Sequence, residues 1–323
     1  MDSNSPALWT DFFGDPMLHV LTSIAGAPTH WFGLTLDTMD GPYETNIMPW
    51  PTGGNWLEAV VADAEGTWYG FYHNERQSSL CAEDAQRVAP RIGAMRSRDH
   101  GKTWDDLGVV LESPADTDDC NSWNTYFVGG VGDFSVMLDQ DEQYLYIFYS
   151  QYAGGVESQG IAVARLAWAD RDQPVGKINV FYENDWVPAQ FVEESMDPPS
   201  PARWAYPVGF PLFPAKDSWH NGDDKVDAFW GPSVHWNTAV ERYVMLLNRA
   251  KDISWGQEGI YVSYATRLDD PSAWSTPKRL LSGGNWYPQV LGLEPGSGTD
   301  KVAGETARFF MSGVSDYLIR FMR

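Results

Sequence analysis

Two acidic side chains stand where strands should begin. Glu58 follows Trp56-Leu57 and leads into the apolar run Ala59-Val60-Val61. Asp133 sits in Gly129-Gly130-Val131-Gly132-Asp133-Phe134-Ser135, where glycines permit close backbone approach and an open mouth. A carboxyl beside so much apolar surface either faces a cavity or is buried at high cost. Two carboxyls in different environments can divide the general-acid and general-base roles. The competing structural readings are a buried hydrogen-bonding Glu58 and a turn-capping Asp133. A third acid, Glu75, ends the aromatic strand in Tyr72-His73-Asn74-Glu75-Arg76, where His73 and Asn74 could bind hydroxyl groups. The alternative there is a solvated loop with Glu75 paired to Arg76. Glu258, in Trp255-Gly256-Gln257-Glu258-Gly259, precedes another predicted strand, a place where acids often simply meet solvent. His235 falls inside a predicted strand, where a satisfied core histidine is the commoner case.

The elements that hold these residues must be short. Thirty Gly and 21 Pro among 323 residues leave little room for long helices. A unit of strand, turn, aromatic strand, gap and third strand recurs instead. One copy runs through Trp56–Val61, Trp68–His73 and Arg91–Arg96; a second through Gly132–Leu138, Tyr144–Tyr149 and Gly160–Arg165. A third runs through Gly231–Trp236, Tyr243–Leu247 and Gly259–Tyr264; a shorter one starts at Tyr287–Leu291 and continues with Arg308–Met311. Leu18–Leu21 with His30–Leu34 begins a further copy near the N-terminus. Units of this kind stack around an axis as propeller blades because none can bury both faces alone. The reading is all-β: a single five-bladed β-propeller over residues 1–323, with long inter-blade loops. Residues 183–226, rich in Pro and Trp, form an insertion between blades.

Ser97-Arg98-Asp99-His100-Gly101-Lys102-Thr103-Trp104 fits S-x-D-x-G-x-T-W at every fixed position. The Asp side chain can bond turn amides, Gly supplies the left-handed residue, and Trp wedges against the sheet. The segment resembles the Asp-box of sialidase-like propellers, which implies a structural role for Asp99. Together with Gly231-Pro232-Ser233-Val234-His235-Trp236 and Gly259-Ile260-Tyr261-Val262-Ser263, the chain resembles the five-bladed propeller glycosidases of the arabinanase, xylosidase and arabinofuranosidase group. That resemblance implies a glycoside hydrolase acting on a plant or microbial glycan, with acids from successive blades pointing into an axial funnel. Glu58, Asp133 and Glu75 are then the catalytic carboxylates. Trp56, His73, Asn74, His235, Arg249, Glu258, Trp286 and Tyr287 are the expected substrate contacts. The position comparable to Glu58 and Asp133 in the third copy is Gly231-Pro232-Ser233, which has no acid, so either a third carboxylate comes from elsewhere or the chain is not a standard member of that group.

The near-identical phrases Gly53-Gly54-Asn55-Trp56 and Gly283-Gly284-Asn285-Trp286 each precede a first strand, which makes both tryptophans candidates for platforms on one face. Sugars stack an apolar face on indole while their hydroxyls meet polar partners. Three alternatives share the fold: a non-catalytic carbohydrate binder, a sialidase using Arg91, Arg165 and Arg249, and a polysaccharide lyase using His73, His235 or Tyr287 as base.

Forty-four acidic against 22 basic residues, a net charge of −22, argue against nucleic acid and an anionic membrane surface as partners. The expected partner is an oligosaccharide or polysaccharide. No metal-ligand spacing is present and no cofactor is expected; one structural calcium in the axial channel stays open for so acidic a propeller. Cys81 and Cys120 are either two buried thiols or one bridge. No signal-peptide pattern follows Met1, and the acidic, Trp-rich composition suggests a secreted or periplasmic protein whose leader has been removed, with a cytoplasmic one as the alternative.

Overall fold

The computed structural model describes residues 1–47, 53–78, 81, 87–192, 195–196, 199–200 and 203–322. Five sheets follow one another along the chain, antiparallel except where Val302–Ala303 joins the fourth parallel to Trp236–Asn237. The first blade comprises Ala7–Phe12, Asp15–Ile24, Ala27–Gly33 and Asp40–Glu44; the second Asn55–Ala62, Trp68–Gln77, Val88–Ser97 and Asp105–Leu111. The third contains Val131–Leu138, Tyr144–Gln151, Gly160–Ala167, Asn179–Tyr182 and Asp185–Pro188. The fourth contains Lys225–Asn237, Arg242–Asp252, Gln257–Ala265 and Lys278–Ser282, and the fifth Gln289–Gly292, Thr306–Met311 and Val314–Arg320. Among the described residues the helical pieces are three-residue 3-10 turns, and no helix is long and apolar enough to cross a membrane.

The five-bladed propeller read from the repeat is present. The first blade starts earlier than the repeat suggested, at Ala7, so Leu18–Leu21 belongs to its second strand rather than its first. The signal was hidden because Thr10, Asp11 and Asp15 interrupt the apolar pattern of that first hairpin. The stretch 183–226 is not wholly an insertion. It begins inside the outer hairpin of the third blade and ends inside the first strand of the fourth. Between them lie a small hairpin, Gln190–Val192 with Arg203–Ala205, and Phe213–Pro214, which pairs with Gly160–Ile161.

Alternate side chains on each sheet face bury into the neighbouring blade. Phe71, Ile92, Phe134, Ile147 and Trp204 pack between the second and third blades; Tyr146, Phe148, Met245, Leu247 and Trp274 between the third and fourth. Burying each such side chain contributes about 1.5–3 kcal/mol. In the 97–104 turn, Asp99 Oδ1 accepts from the Thr103 amide at 2.8 Å and Oδ2 from its hydroxyl at 2.7 Å, while the Trp104 indole donates to the Gly101 carbonyl at 3.0 Å. Cys81 and Cys120 form a disulfide across a separation of 39 residues.

The segment ahead of the first strand runs across the centre of the ring. Asn4 Nδ2 donates to the Phe134 carbonyl of the third blade at 2.9 Å and to the Pro232 carbonyl of the fourth at 3.1 Å. Ser5 exchanges hydrogen bonds with the Gln289 side chain of the fifth blade, and the Ala7 amide donates to Asp300 Oδ1 at 3.0 Å. One side chain thus satisfies carbonyls of two blades while the backbone beside it ties the first blade to the last. Asn4→Ala strands two buried acceptors and is expected to lower stability by about 2–4 kcal/mol, measured by chemical denaturation.

Candidate active site

The inner strands carry β-bulges at matching places, and the bulges aim the acids. Leu57 pairs with Tyr72 and Ala59 with Phe71, which leaves Glu58 as the extra residue. In the third blade Tyr149 pairs with Phe134 and Ser150 with Gly132, which leaves Asp133. An extra residue breaks strict alternation and re-aims its side chain. Asp133 adopts a φ of 41°, a left-handed backbone disfavoured for a residue with a Cβ. The fourth blade has its bulge at Gly231-Pro232, between the pairs Trp230–Asn248 and Ser233–Leu246.

The bulged acids meet at the base of a cavity of about 220 Å³ lined also by Asp2, His73 and Glu75 and by an aromatic wall that includes Trp56, Trp230, Trp255, Trp286 and Tyr287. Glu58 is 1% exposed and Asp133 3%. Their surroundings differ. Asp133 accepts from the Tyr287 hydroxyl at 2.7 Å on one oxygen and from the Tyr152 hydroxyl on the other. Both phenols are held well above their ordinary pKa by burial, so they stay donors. Glu58 Oε2 accepts one bond, from the Phe134 amide at 2.9 Å. Burial, then the charge of Asp133, pushes Glu58 well above the usual carboxylate range. Burial raises Asp133 too, but His73 and the two hydroxyls pull it back. The pair therefore divides: Glu58 retains its proton while two O–H donors favour the charged form of Asp133.

His73 joins the two. Its Nδ1 accepts the Asp133 amide at 3.1 Å and lies 4.0 Å from Glu58 Oε1, while Nε2 lies 3.6 Å from Glu75 Oε1. Burial alone would depress this imidazole; Glu75, Asp133 and Glu58 outweigh it and raise it to about 9. The Asp133 amide opposes a second proton, because it needs the lone pair on Nδ1.

Donor atoms of Glu58, His73 and Asp133 lie within 4.8 Å of one another, the one such trio among the described residues. His73 Nδ1 and both Asp133 oxygens already take hydrogen bonds from protein donors. A metal ion there would have to displace an amide and two phenols, so the trio does not fit a resident cation in this arrangement.

No family model and no curated protein sequence matches this chain. Solved structures do. An endo-arabinase from Bacteroides thetaiotaomicron aligns at a TM-score of 0.52 with 10% identity, over 100% of this chain and 95% of that one. An endo-1,5-α-L-arabinanase from Thermotoga petrophila aligns at 0.51 with 12% identity, over 98% of this chain and 71% of that one. The shared feature is the five-bladed propeller fold.

Glu58, Glu75, Asp133, Trp56, His73, Trp286 and Tyr287 come together in the cavity. Asn74, His235, Arg249 and Glu258 do not line it, and strand geometry explains each. Asn74 alternates with His73 and Glu75, so it turns to the other face and donates to the Gly54 carbonyl and Asn55 Oδ1. His235 is fully buried against Phe321, and burial lowers its pKa to about 3. Arg249 pairs with Asp227 at 2.6 and 2.7 Å, on the face opposite Asn248. Glu258 bonds the Tyr261 hydroxyl at 2.6 Å and Arg279 at 2.7 Å. Arg165 stacks between Tyr144 and Trp186, and Arg91 bonds Asn74.

The sequence reading did not find Asp2, Tyr152 or Tyr126. Asp2 brings a further acid into the cavity lining, held against the first blade. Its Oδ2 accepts the Ala25 amide at 3.1 Å, and its Oδ1 is buried with no hydrogen-bond partner. The indole N–H groups of Trp56 and Trp230 are likewise buried and unpartnered, which leaves donors for a ligand. Tyr126 stands at the rim, edge-on to Trp255 and Trp286.

The raised pKa of Glu58 makes a stability prediction. A carboxyl with a raised folded pKa contributes stability that is full at low pH and lost as pH rises through that pKa. Glu58→Gln keeps an acceptor for the Phe134 amide and removes the titration. Its melting temperature should match wild type in acid and exceed it progressively as pH rises, read in thermal scans from pH 4 to 9.

Proposed function

We propose that this chain is a glycoside hydrolase that cleaves a neutral sugar at the axial cavity. The observation carrying this reading is the Glu58–Asp133 pair: two buried carboxyls in contrasting environments at the base of an aromatic-walled cavity. Glycoside hydrolysis needs one protonated and one ionised carboxyl about the scissile bond. Glu58 is the general acid. Asp2, with a free Oδ1, is the base that takes a proton from water. Asp133, held by two phenols, is charged beside Glu58 and keeps its proton in place. The tryptophans stack the sugar, and the free indole N–H groups of Trp56 and Trp230 bind its hydroxyls.

The sialidase and lyase readings of the fold fare less well. Among the described residues no arginine lines the cavity, whereas a sialidase needs arginine to hold the substrate carboxylate. A lyase base at Tyr287 would have to ionise beside Asp133, and burial and that charge oppose it. A non-catalytic carbohydrate binder is favoured by the near-complete burial of Glu58 and Asp133. The disulfide supports an oxidising compartment, in keeping with a secreted or periplasmic protein.

The test is a screen of oligosaccharides and aryl glycosides, beginning with α-1,5-arabino-oligosaccharides because structural neighbours are named for them. Wild type should release product. Glu58→Gln, Asp133→Asn and Asp2→Asn should each lower kcat by about 10²–10⁴-fold with the fold intact. Ligand-induced stabilisation without cleavage by wild type would establish the binder instead.

A further inference from the structure

We propose that a second cavity, between the second blade and the insertion after the third, binds an anionic sugar unit, a uronate carboxylate or a sulfate ester. The choice of a sugar rests on the carbohydrate reading above; the choice of an anion rests on the cavity's own residues.

The cavity measures about 420 Å³, room for a monosaccharide. Among the described residues its charged lining is Arg76, Arg91 and Arg203 against the single acid Glu112, in a chain with twice as many acids as bases. Sheet register brings the first two together. Asn74 pairs with Arg91, and Arg76 lies two residues beyond Asn74 on the same face. Asn74 Oδ1 accepts from Arg91 Nε at 2.8 Å and fixes that guanidinium. Glu112 contacts both: Arg76 directly, and Arg91 Nη1 at 3.5 Å. One carboxylate thus serves two guanidiniums, and Arg76 Nε is buried without a hydrogen-bond partner. Asp118, nearby, is turned to the Ser78 hydroxyl at 2.6 Å and is outside the lining.

The insertion completes the cavity. Its small hairpin pairs Val192 with Arg203 and Phe191 with Trp204. Trp204 is buried in the core between the second and third blades and anchors the hairpin. Arg203 is exposed and has no ion partner among the described residues. Phe191 is 43% exposed, 5.4 Å from the Trp204 ring, and offers an apolar face to a sugar ring. Guanidinium forks match planar carboxylate and sulfate oxygens in paired hydrogen bonds. The two cavities share a strand: Glu75 lines the axial one, and Arg76, the next residue, faces the other.

Isothermal titration tests this with three probes: digalacturonate, a sulfated galactobiose and neutral galactobiose. An acidic probe should bind, more weakly as salt rises, and Arg203→Ala should weaken it about tenfold. Phe191→Ser should weaken it too. Digalacturonate alone binding assigns a uronate, and the sulfated probe alone a sulfate ester. Glu58→Gln should bind the acidic probe as wild type does, since it alters only the axial cavity. Equal binding of neutral and acidic probes, no binding of either acidic probe, indifference to Arg203→Ala and Phe191→Ser, or loss in Glu58→Gln would each overturn the proposal. Acidic binding without hydrolysis of any substrate would overturn the enzyme reading and leave this one standing; hydrolysis without acidic binding would do the reverse.

Discussion

Everything at the axis follows from the burial of carboxyl groups in a place with little water. An isolated charge there is prohibitive, so each acid must be neutralised or hydrogen-bonded. The structure uses both solutions side by side. Asp133 receives two phenolic O–H groups, from the third blade and from Tyr287 just ahead of the fifth blade's first strand. Glu58 receives a single amide and is left under the charge of Asp133. The difference in hydrogen bonding sets the difference in proton affinity, and that difference is what acid–base chemistry requires.

The inner strands can present these acids only because they bulge. In a regular strand, a residue between Leu57 and Ala59 would alternate with them between the two blade interfaces. The extra residue at Glu58, and again at Asp133, swings a side chain toward the axis while the strands on either side keep packing. The third equivalent place is occupied by Gly231-Pro232, whose carbonyl bonds Asn4. The strap that carries Asn4 also brings in Asp2. The blade lacking an acid therefore provides the anchor for the segment that supplies one.

This division explains what was legible in the sequence. Blade count, strand positions and the paired Gly-Gly-Asn-Trp phrases follow from hydrophobic alternation and turn residues, which are local signals. Glu58 and Asp133 stood out because an acid inside an apolar run is anomalous in any geometry. Asn74, Arg249 and Glu258 were misplaced because side-chain facing depends on bulge positions and strand parity, which composition does not reveal. Asp2 was missed because it precedes the first blade and belongs to no repeat. Tyr152 and Tyr126 look like any other aromatic of a propeller rich in them; only three-dimensional proximity gives them a role.

The same parity governs the outer surface of the second blade. Along Trp68–Gln77, His73 and Glu75 turn one way, and Asn74 and Arg76 the other. One strand thus separates an acidic cavity from an arginine-lined one at a spacing of a single residue. Asn74 bonds the backbone that leads to Trp56 and also fixes Arg91, so it braces both. Glu112 meets both guanidiniums on the arginine side, while the axial acids are met by an amide and two phenols. Along this strand the acid and the arginine are therefore sorted onto opposite faces, a sorting that follows from strand alternation alone.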